Sequence, residues 1–218
     1  MKTIRVTGKG QIKVHPDTAR LTLTLEGLCR DYEKTLQDSA KMTDKLKNLF
    51  VEFDFEKSDL KTLSFNIDTE YESYKENDIY KQRFEGYRFR HVLKIEFDSD
   101  NKRLGKILYA LAHSPVCPEF KISYTVKNLE SAKNELLAKA VLDAKEKANV
   151  LAKSAGVPLK EIQSIVYSWS EIQFETQPVR MMEEKCLSIC SSEKSYDLDI
   201  EPDDIDAEDT VTVVWEIG

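Results

Sequence analysis

The residues best suited to acid–base catalysis are few and widely spaced in this sequence. Only three histidines occur among the 218 residues, namely His15, His91 and His113. His91 falls on the apolar side of a strand pattern, where a histidine is more often a hydrogen-bonded core residue than a catalytic base. The chain also lacks a Gly-x-Ser-x-Gly elbow, a phosphate-binding loop and a His-Glu-x-x-His motif. We therefore expect no catalytic residue and no enzymatic activity.

The cysteines and the acidic residues do not form a recognisable metal site. Cys186 and Cys190 would share one face of a helix, but a structural zinc site takes four ligands, and Cys29 and Cys117 lie far away in sequence. The acidic run from Asp197 to Asp209 lacks the ligand order of an EF-hand loop, so we interpret it as a solvated loop. We expect four free thiols, no bound metal and no cofactor.

The charge of the chain argues against nucleic acid as a partner. There are 39 acidic and 32 basic residues, for a formal net charge of -7. Nucleic-acid binding depends on clustered Lys and Arg that release counterions, which a globally acidic chain does not favour. The run Tyr87-Arg88-Phe89-Arg90 interleaves aromatic and basic residues as single-strand binders do, but these residues alternate between the two faces of a strand. We expect the aromatic residues in the core and the arginines on the surface.

No stretch of the sequence reaches the length of about 18 apolar residues that a transmembrane helix requires. The first residues, Met1 to Val6, pass directly into strand-like alternation without the apolar region of a signal peptide. The sequence as written therefore predicts a cytoplasmic protein, and a periplasmic one if a signal peptide has been removed.

One long helix is the clearest element of the sequence. Its apolar residues recur in steps of three and four, at Leu129, Ala132, Leu136, Ala140, Ala144, Ala148, Leu151 and Ala155. Gly156 and Pro158 predict its end, since glycine adopts the left-handed conformation that closes a helix and proline cannot continue one. The alanines leave a shallow ridge on the helix, so the surface beneath it can approach closely. We expect that surface to be a β-sheet.

The remaining patterns predict an α+β fold. The chain reads as two units with the order strand, helix, strand, strand, joined by a short helix, with boundaries at 1–98, 99–115 and 116–218. Most strands have one apolar and one polar side, which is typical of a sheet covered on one face only. We therefore expect both long helices on one face of a single, mostly antiparallel sheet.

Two local irregularities are also predicted. Gly8 and Gly10 interrupt the first strand and favour a glycine bulge there. The polar stretch from Ser73 to Lys81 separates two strand patterns and is interpreted as a hairpin turn.

Several short motifs occur in a characteristic order along the chain. They are Gly8-x-Gly10, Pro16-Asp17 before a strand, Gly86-Tyr87 at the start of a long strand, the helical series Ala140, Ala144, Ala148 and Ala152 with Gly156, and Ile200-x-Pro202 before Val211. Together they resemble the SIMPL family, also known as domain of unknown function 541. The resemblance implies a protein without established enzymatic activity. It also implies relatives that form homo-oligomers of the bacterial envelope, some linked to stress tolerance, and a kinase-associated signalling protein in mammals.

Three hypotheses for function remain open at this point. The first is a homo-oligomeric structural or scaffolding protein, whose candidate interface residues are Tyr71, Tyr74, Tyr80, Phe84 and Trp169. The second is a monomeric module that binds another protein, with the irregular segment 175–208 becoming ordered on the partner. The third is a small-molecule binder or enzyme, for which a pocket lined by several polar groups would be the evidence.

Overall fold

The computed structural model describes residues 2–167, 174–176 and 200–218, and within them the chain forms seven strands and three helices. The strands are β1 (Lys2–Val14), β2 (Thr18–Cys29), β3 (Lys61–Glu76), β4 (Ile79–Asp98), β5 (Glu119–Thr125), β6 (Leu159–Val166) and β7 (Ile205–Ile217). The helices are α1 (Tyr32–Val51), α2 (Asn101–Ala112) and α3 (Leu129–Ser154). The predicted α+β class is confirmed, and the elements from β2 to β7 follow the predicted order of two strand-helix-strand-strand units joined by a short helix, with β1 as an additional strand before them.

The strands form two sheets rather than the single sheet expected. One sheet has the order β1-β7-β6 and the other has the order β3-β4-β2-β5. The reason is that β1 pairs along its whole length with β7, antiparallel, instead of joining β2. Each sheet has its own long helix, with α3 packed on β1 and β7 and α1 packed on β2 and β4.

The chain accordingly divides into two compact units that interleave in sequence. The first unit contains β1, β6, β7 and α3, and the second contains β2, β3, β4, α1, α2 and nearly all of β5. This division differs from the consecutive segments 1–98, 99–115 and 116–218 that the sequence patterns suggest. The difference follows from the pairing of the first strand with the last.

In the first unit, α3 lies unusually close to β1. A Cβ atom added to Gly8 would overlap the carbonyl oxygen of Ala140 and lie 2.7 Å from the Cβ atom of Ala144. A Cβ atom added to Gly10 would overlap the carbonyl oxygen of Leu136. The pairing of β1 with β7 is continuous through both glycines, so the predicted glycine bulge is wrong. The glycines instead make room for the helix backbone.

Both ends of α3 are capped by hydrogen bonds, and the C-terminal end is predicted from the sequence. The Asn128 side chain accepts a hydrogen bond from the Ser131 backbone N–H at 3.0 Å, which caps the first turn. Gly156 has a φ of 70°, and the Val157 N–H donates to the Ala152 carbonyl oxygen at 3.0 Å. This is the Schellman arrangement at a helix C-terminus. The predicted end of the long helix is confirmed.

The last part of the acidic run belongs to a strand, not to the solvated loop expected. β7 begins at Ile205. In its register with β1, Asp206 lies opposite Lys13, and Glu208 lies opposite Gln11 and diagonal to Lys9. Asp206 lies 3.6 Å from the Lys13 ammonium, and Glu208 lies 2.7 Å from that of Lys9. Cross-strand pairing of opposite charges lets these acidic residues occupy a sheet.

The second unit has the larger apolar core, formed by α1 and α2 against the sheet. Its most buried side chains are Leu21, Leu23, Leu25, Leu46, Phe50, Phe89, Leu93, Ile95, Leu104, Ile107 and Leu111. Both helices start at an aspartate whose carboxylate accepts backbone N–H groups: Asp31 accepts from Lys34 at 2.8 Å and Asp100 accepts from Lys102 at 2.9 Å. These caps satisfy donors that the first helical turn leaves without partners.

His91 of β4 connects α1 to β3. Its Nδ1 and Nε2 atoms lie 3.1 and 2.9 Å from the hydroxyl oxygens of Thr43 and Thr62. Because the Thr43 hydroxyl donates to the Ser39 carbonyl oxygen, it accepts from His91, and Nδ1 carries the proton. Burial of the ring lowers the pKa of His91, which favours the neutral form. The prediction of a hydrogen-bonded core histidine is confirmed.

Substitution of Ala144 by glutamate should strongly destabilise the first unit. Ala144 is 0% exposed on the side of α3 that faces the sheet, so the carboxylate would be buried without a partner at a cost of roughly 3–5 kcal/mol. The measurement is urea unfolding followed by circular dichroism. Ala138→Glu, on the exposed side of the same helix, is the matched control and should change stability by less than about 0.5 kcal/mol. Equal midpoints for the two variants would contradict the packing described.

The stability of the second unit should depend on pH through His91. Its folded-state pKa is lowered, so the unfolded chain takes up a proton first, and stability should decrease as pH falls below about 6.5. The experiment compares unfolding free energies of wild type and His91→Gln at several pH values between about 7.5 and 5. We expect a smaller pH slope in the variant. Identical slopes would show that His91 does not titrate differently in the folded state.

Candidate interaction surface

Strands β3 and β4 extend past the end of β2 as a two-stranded hairpin. β2 ends at Cys29, which pairs with Tyr87, whereas β3 and β4 stay paired through residues 71–84, here called the ribbon. The ribbon contains six residues of each strand, 71–76 and 79–84, which corresponds to a length of about 20 Å. The ribbon closes at Asn77 and Asp78, with φ values of 50° and 62°, as in tight two-residue turns. The turn is therefore shorter than the predicted stretch Ser73 to Lys81.

A β-bulge marks the base of the ribbon. Glu70 pairs with Gly86 and the next residue, Tyr71, pairs with Phe84, so Glu85 is an extra residue in β4. The extra residue reverses the alternation of side chains beyond it. As a result, Phe84 and Tyr87 lie on the same face of the hairpin although they are three residues apart.

Gly86 lies directly under the end of β2. A Cβ atom at this position would be 2.9 Å from the carbonyl carbon of Cys29, closer than real Cβ contacts allow. Glycine therefore lets β4 pass the carboxyl end of β2 at the point where the ribbon begins.

Five aromatic side chains form a row along one face of the ribbon and onto α1, here called the aromatic strip. Its members are Tyr32, Tyr71, Tyr80, Phe84 and Tyr87. The ring centroids of Tyr32 and Tyr87 are 5.3 Å apart, those of Tyr87 and Phe84 are 5.3 Å apart, and those of Phe84 and Tyr71 are 5.8 Å apart, all edge to face. Tyr80 lies on the same face nearer the turn. Tyr71 is 53% exposed and Tyr80 is 78% exposed, so much of the strip faces solvent.

The structure brings together three of the five predicted interface residues. Tyr71, Tyr80 and Phe84 belong to the aromatic strip. Tyr74 lies on the other face of the ribbon, where the Arg83 guanidinium is 5.9 Å from the centre of its ring. Trp169 lies outside the described residues, as does most of segment 175–208.

Sequence reasoning missed Tyr32 and Tyr87 as members of this surface. Strict alternation along β4 assigns Tyr87 and Phe84 to opposite faces, and only the extra residue Glu85 reverses this. Tyr32 is the first residue of α1, and its contact with Tyr87 depends on tertiary packing. Gly86 is the feature of the sequence that could have indicated the extra residue, since a glycine within a strand often marks a bulge.

The opposite face of the second sheet is charged. Arg20 lies 2.7 Å from Glu96, Arg88 lies 3.0 Å from Glu70, and Arg90 also pairs with a carboxylate, that of Glu26. The side chain of Phe89, between the two later arginines, is buried in the core. The predicted alternation of Phe89 and the arginines between core and surface is thus confirmed, and Arg88 and Arg90 are both neutralised by neighbouring carboxylates.

The possible metal ligands and the cysteines of the described residues do not cluster into a site. Within residues 2–167, 174–176 and 200–218, no group of three or more His, Cys, Asp and Glu side chains is arranged to hold a metal ion. Cys29 and Cys117 are free thiols, and a hydrogen bond from the Cys29 thiol to Asp38 raises its pKa. Cys186 and Cys190 lie outside the described residues. None of the described helices is long and apolar enough to cross a membrane.

Comparison with known proteins places the chain in a family. The model of the SIMPL family, described as a protein of unknown function (DUF541), matches residues 4–215. We found no match to the chain among curated proteins. The matched range extends from β1 through β7, so it includes both compact units. The chain therefore belongs to the SIMPL family, as the order of its glycine, alanine and proline motifs predicts.

Proposed function

We propose that this protein is a non-enzymatic scaffold that forms homo-oligomers through its aromatic strip. The observation that carries the proposal is the exposure of Tyr71, Phe84 and Tyr80 along one face of a hairpin that extends beyond its own sheet. Aromatic side chains supply much of the binding energy at protein interfaces because they bury large apolar areas with little loss of conformational freedom.

The strand edges of the ribbon support the same proposal. Beyond Cys29, no other described strand pairs with the outer edge of β4, and none pairs with the outer edge of β3. Backbone N–H and C=O groups at such edges can pair with another chain. Most soluble oligomers contain identical subunits related by symmetry, and the strip of one copy can then face the strip of the next. Self-association is also what the family resemblance implies.

Binding of a different protein is the alternative for the same surface. Tyr80 is the most exposed aromatic residue of the ribbon and lies one residue after the start of β4, near the tip. A single projecting aromatic side chain is suited to insertion into a pocket on a partner. In this alternative the protein is a monomer in isolation, and Tyr80 contributes more than Tyr71 to binding.

Light scattering over a concentration series tests the oligomer directly. The wild-type chain should show a mass above that of one chain, and the double variant Tyr71→Ser/Phe84→Ser should raise the dissociation constant at least about tenfold. The matched control is Tyr74→Ser/Ile79→Ser, which removes two exposed apolar side chains from the other face of the ribbon. The control should keep the wild-type mass.

Two results would contradict this proposal. A wild-type protein that stays monomeric at high concentration would exclude self-association and leave partner binding as the function of the strip. A variant lacking residues 74–84 that still forms the same oligomer would show that the interface lies elsewhere.

A further inference from the structure

The second unit contains a groove that the proposed self-association does not use. It has a volume of about 410 Å³ and lies between the C-terminal half of α1 and the connection from α2 to β5. Leu46, Leu49 and Val116 provide apolar lining. Its volume is within the range of pockets that bind small molecules, roughly 300–1,000 Å³.

Polar groups line the same groove at helical spacing. Lys45, Asn48 and Glu52 lie at positions i, i+3 and i+7 of α1 and its C-cap, so they share one face of the helix. Within the described part of the chain, these three side chains make no hydrogen bond or ion pair. By contrast, Lys41, one turn earlier, lies 3.6 Å from Asp38. The groove therefore offers an ammonium, an amide and a carboxylate to a ligand.

His113 adds a fixed ring nitrogen to this lining. Its Nδ1 atom lies 2.8 Å from the Tyr109 carbonyl oxygen, and its ring stacks on the Tyr109 ring at a centroid distance of 4.1 Å. A carbonyl oxygen only accepts hydrogen bonds, so Nδ1 carries the proton. In the neutral imidazole, Nε2 is then a hydrogen-bond acceptor. Glu52 and His113 thus both present acceptors, whereas Lys45 presents a positive charge.

From this arrangement we infer that the groove binds a zwitterionic ligand with an apolar body, of which a short apolar peptide with free ends is the simplest example. The carboxylate of the peptide contacts Lys45, its ammonium contacts Glu52, and Nε2 of His113 accepts a hydrogen bond from the peptide. Lys45 and Glu52 are seven positions apart, which is about 10 Å along a helix. An extended tripeptide also spans about 10 Å, so its two charged ends match the two charged groups.

Three forms of one peptide test each charge separately. The probe is the tripeptide Ala-Phe-Ala, compared with its N-acetylated and C-amidated forms, and binding to the full chain is measured by NMR titration. The free tripeptide should bind best, and each blocked form should bind roughly fivefold more weakly. In Lys45→Gln, amidation should have no further effect, and in Glu52→Gln, acetylation should have none. Lys41→Gln is the control, because it removes the same charge from α1 outside the groove.

The inference is overturned if none of the three peptides binds at concentrations up to about 10 mM. This concentration is well above a dissociation constant of about 1 mM, so even weak binding would be detected. The inference is also overturned if all three bind equally, or if Lys41→Gln and Lys45→Gln have the same effect. Light scattering of the same variants should show the wild-type oligomeric state. This readout separates a failure of the groove from a failure of the proposed self-association.

Discussion

The close packing of α3 on β1 is the constraint on which the first unit depends. The carbonyl oxygen of Ala140 occupies the space that a side chain at Gly8 would need. The backbone of α3 can come this close to β1 only because β1 has glycine at the points of closest contact and α3 has alanine facing Gly8. Larger residues, Val6, Val213 and Trp215, belong to the same core cluster. The glycine and alanine motifs shared with the family therefore have a packing role, which explains why they identify a fold without indicating a reaction.

The sequence predicts the elements well because their periodicity is local. The long helix, its glycine end and the buried alanine ridge follow from residues within a few turns of one another. The partner of β1 could not be predicted in this way, because β1 is equally suited to pairing with β2 or with a strand from the other end of the chain. Its pairing with β7 is decided by tertiary packing, including the contact of Gly8 with α3.

The residues of the aromatic strip could be predicted only in part, because their exposure is a local property of the sequence and their arrangement is not. Exposed aromatic residues in a polar hairpin can be recognised from sequence, and Tyr71, Tyr80 and Phe84 were found in that way. Their arrangement depends on the extra residue Glu85, since a single insertion moves every later side chain of a strand to the other face. The groove beside Lys45 involves two segments about 60 residues apart, and no local pattern indicates that they meet.

The pairing of Lys2 with Ile217 has a consequence for how the chain folds during synthesis. β2, β3, β4 and α1 are all available once the first half of the chain has been made, so most of the second unit can form early. The first unit has to wait for its last strand, and its contacts span nearly the full length of the sequence. Contacts between such distant residues form slowly because the intervening chain must first be closed into a loop. Until β7 has been synthesised, β1 lacks the strand that completes its hydrogen bonds, and an unpaired strand edge of this kind can pair with another chain.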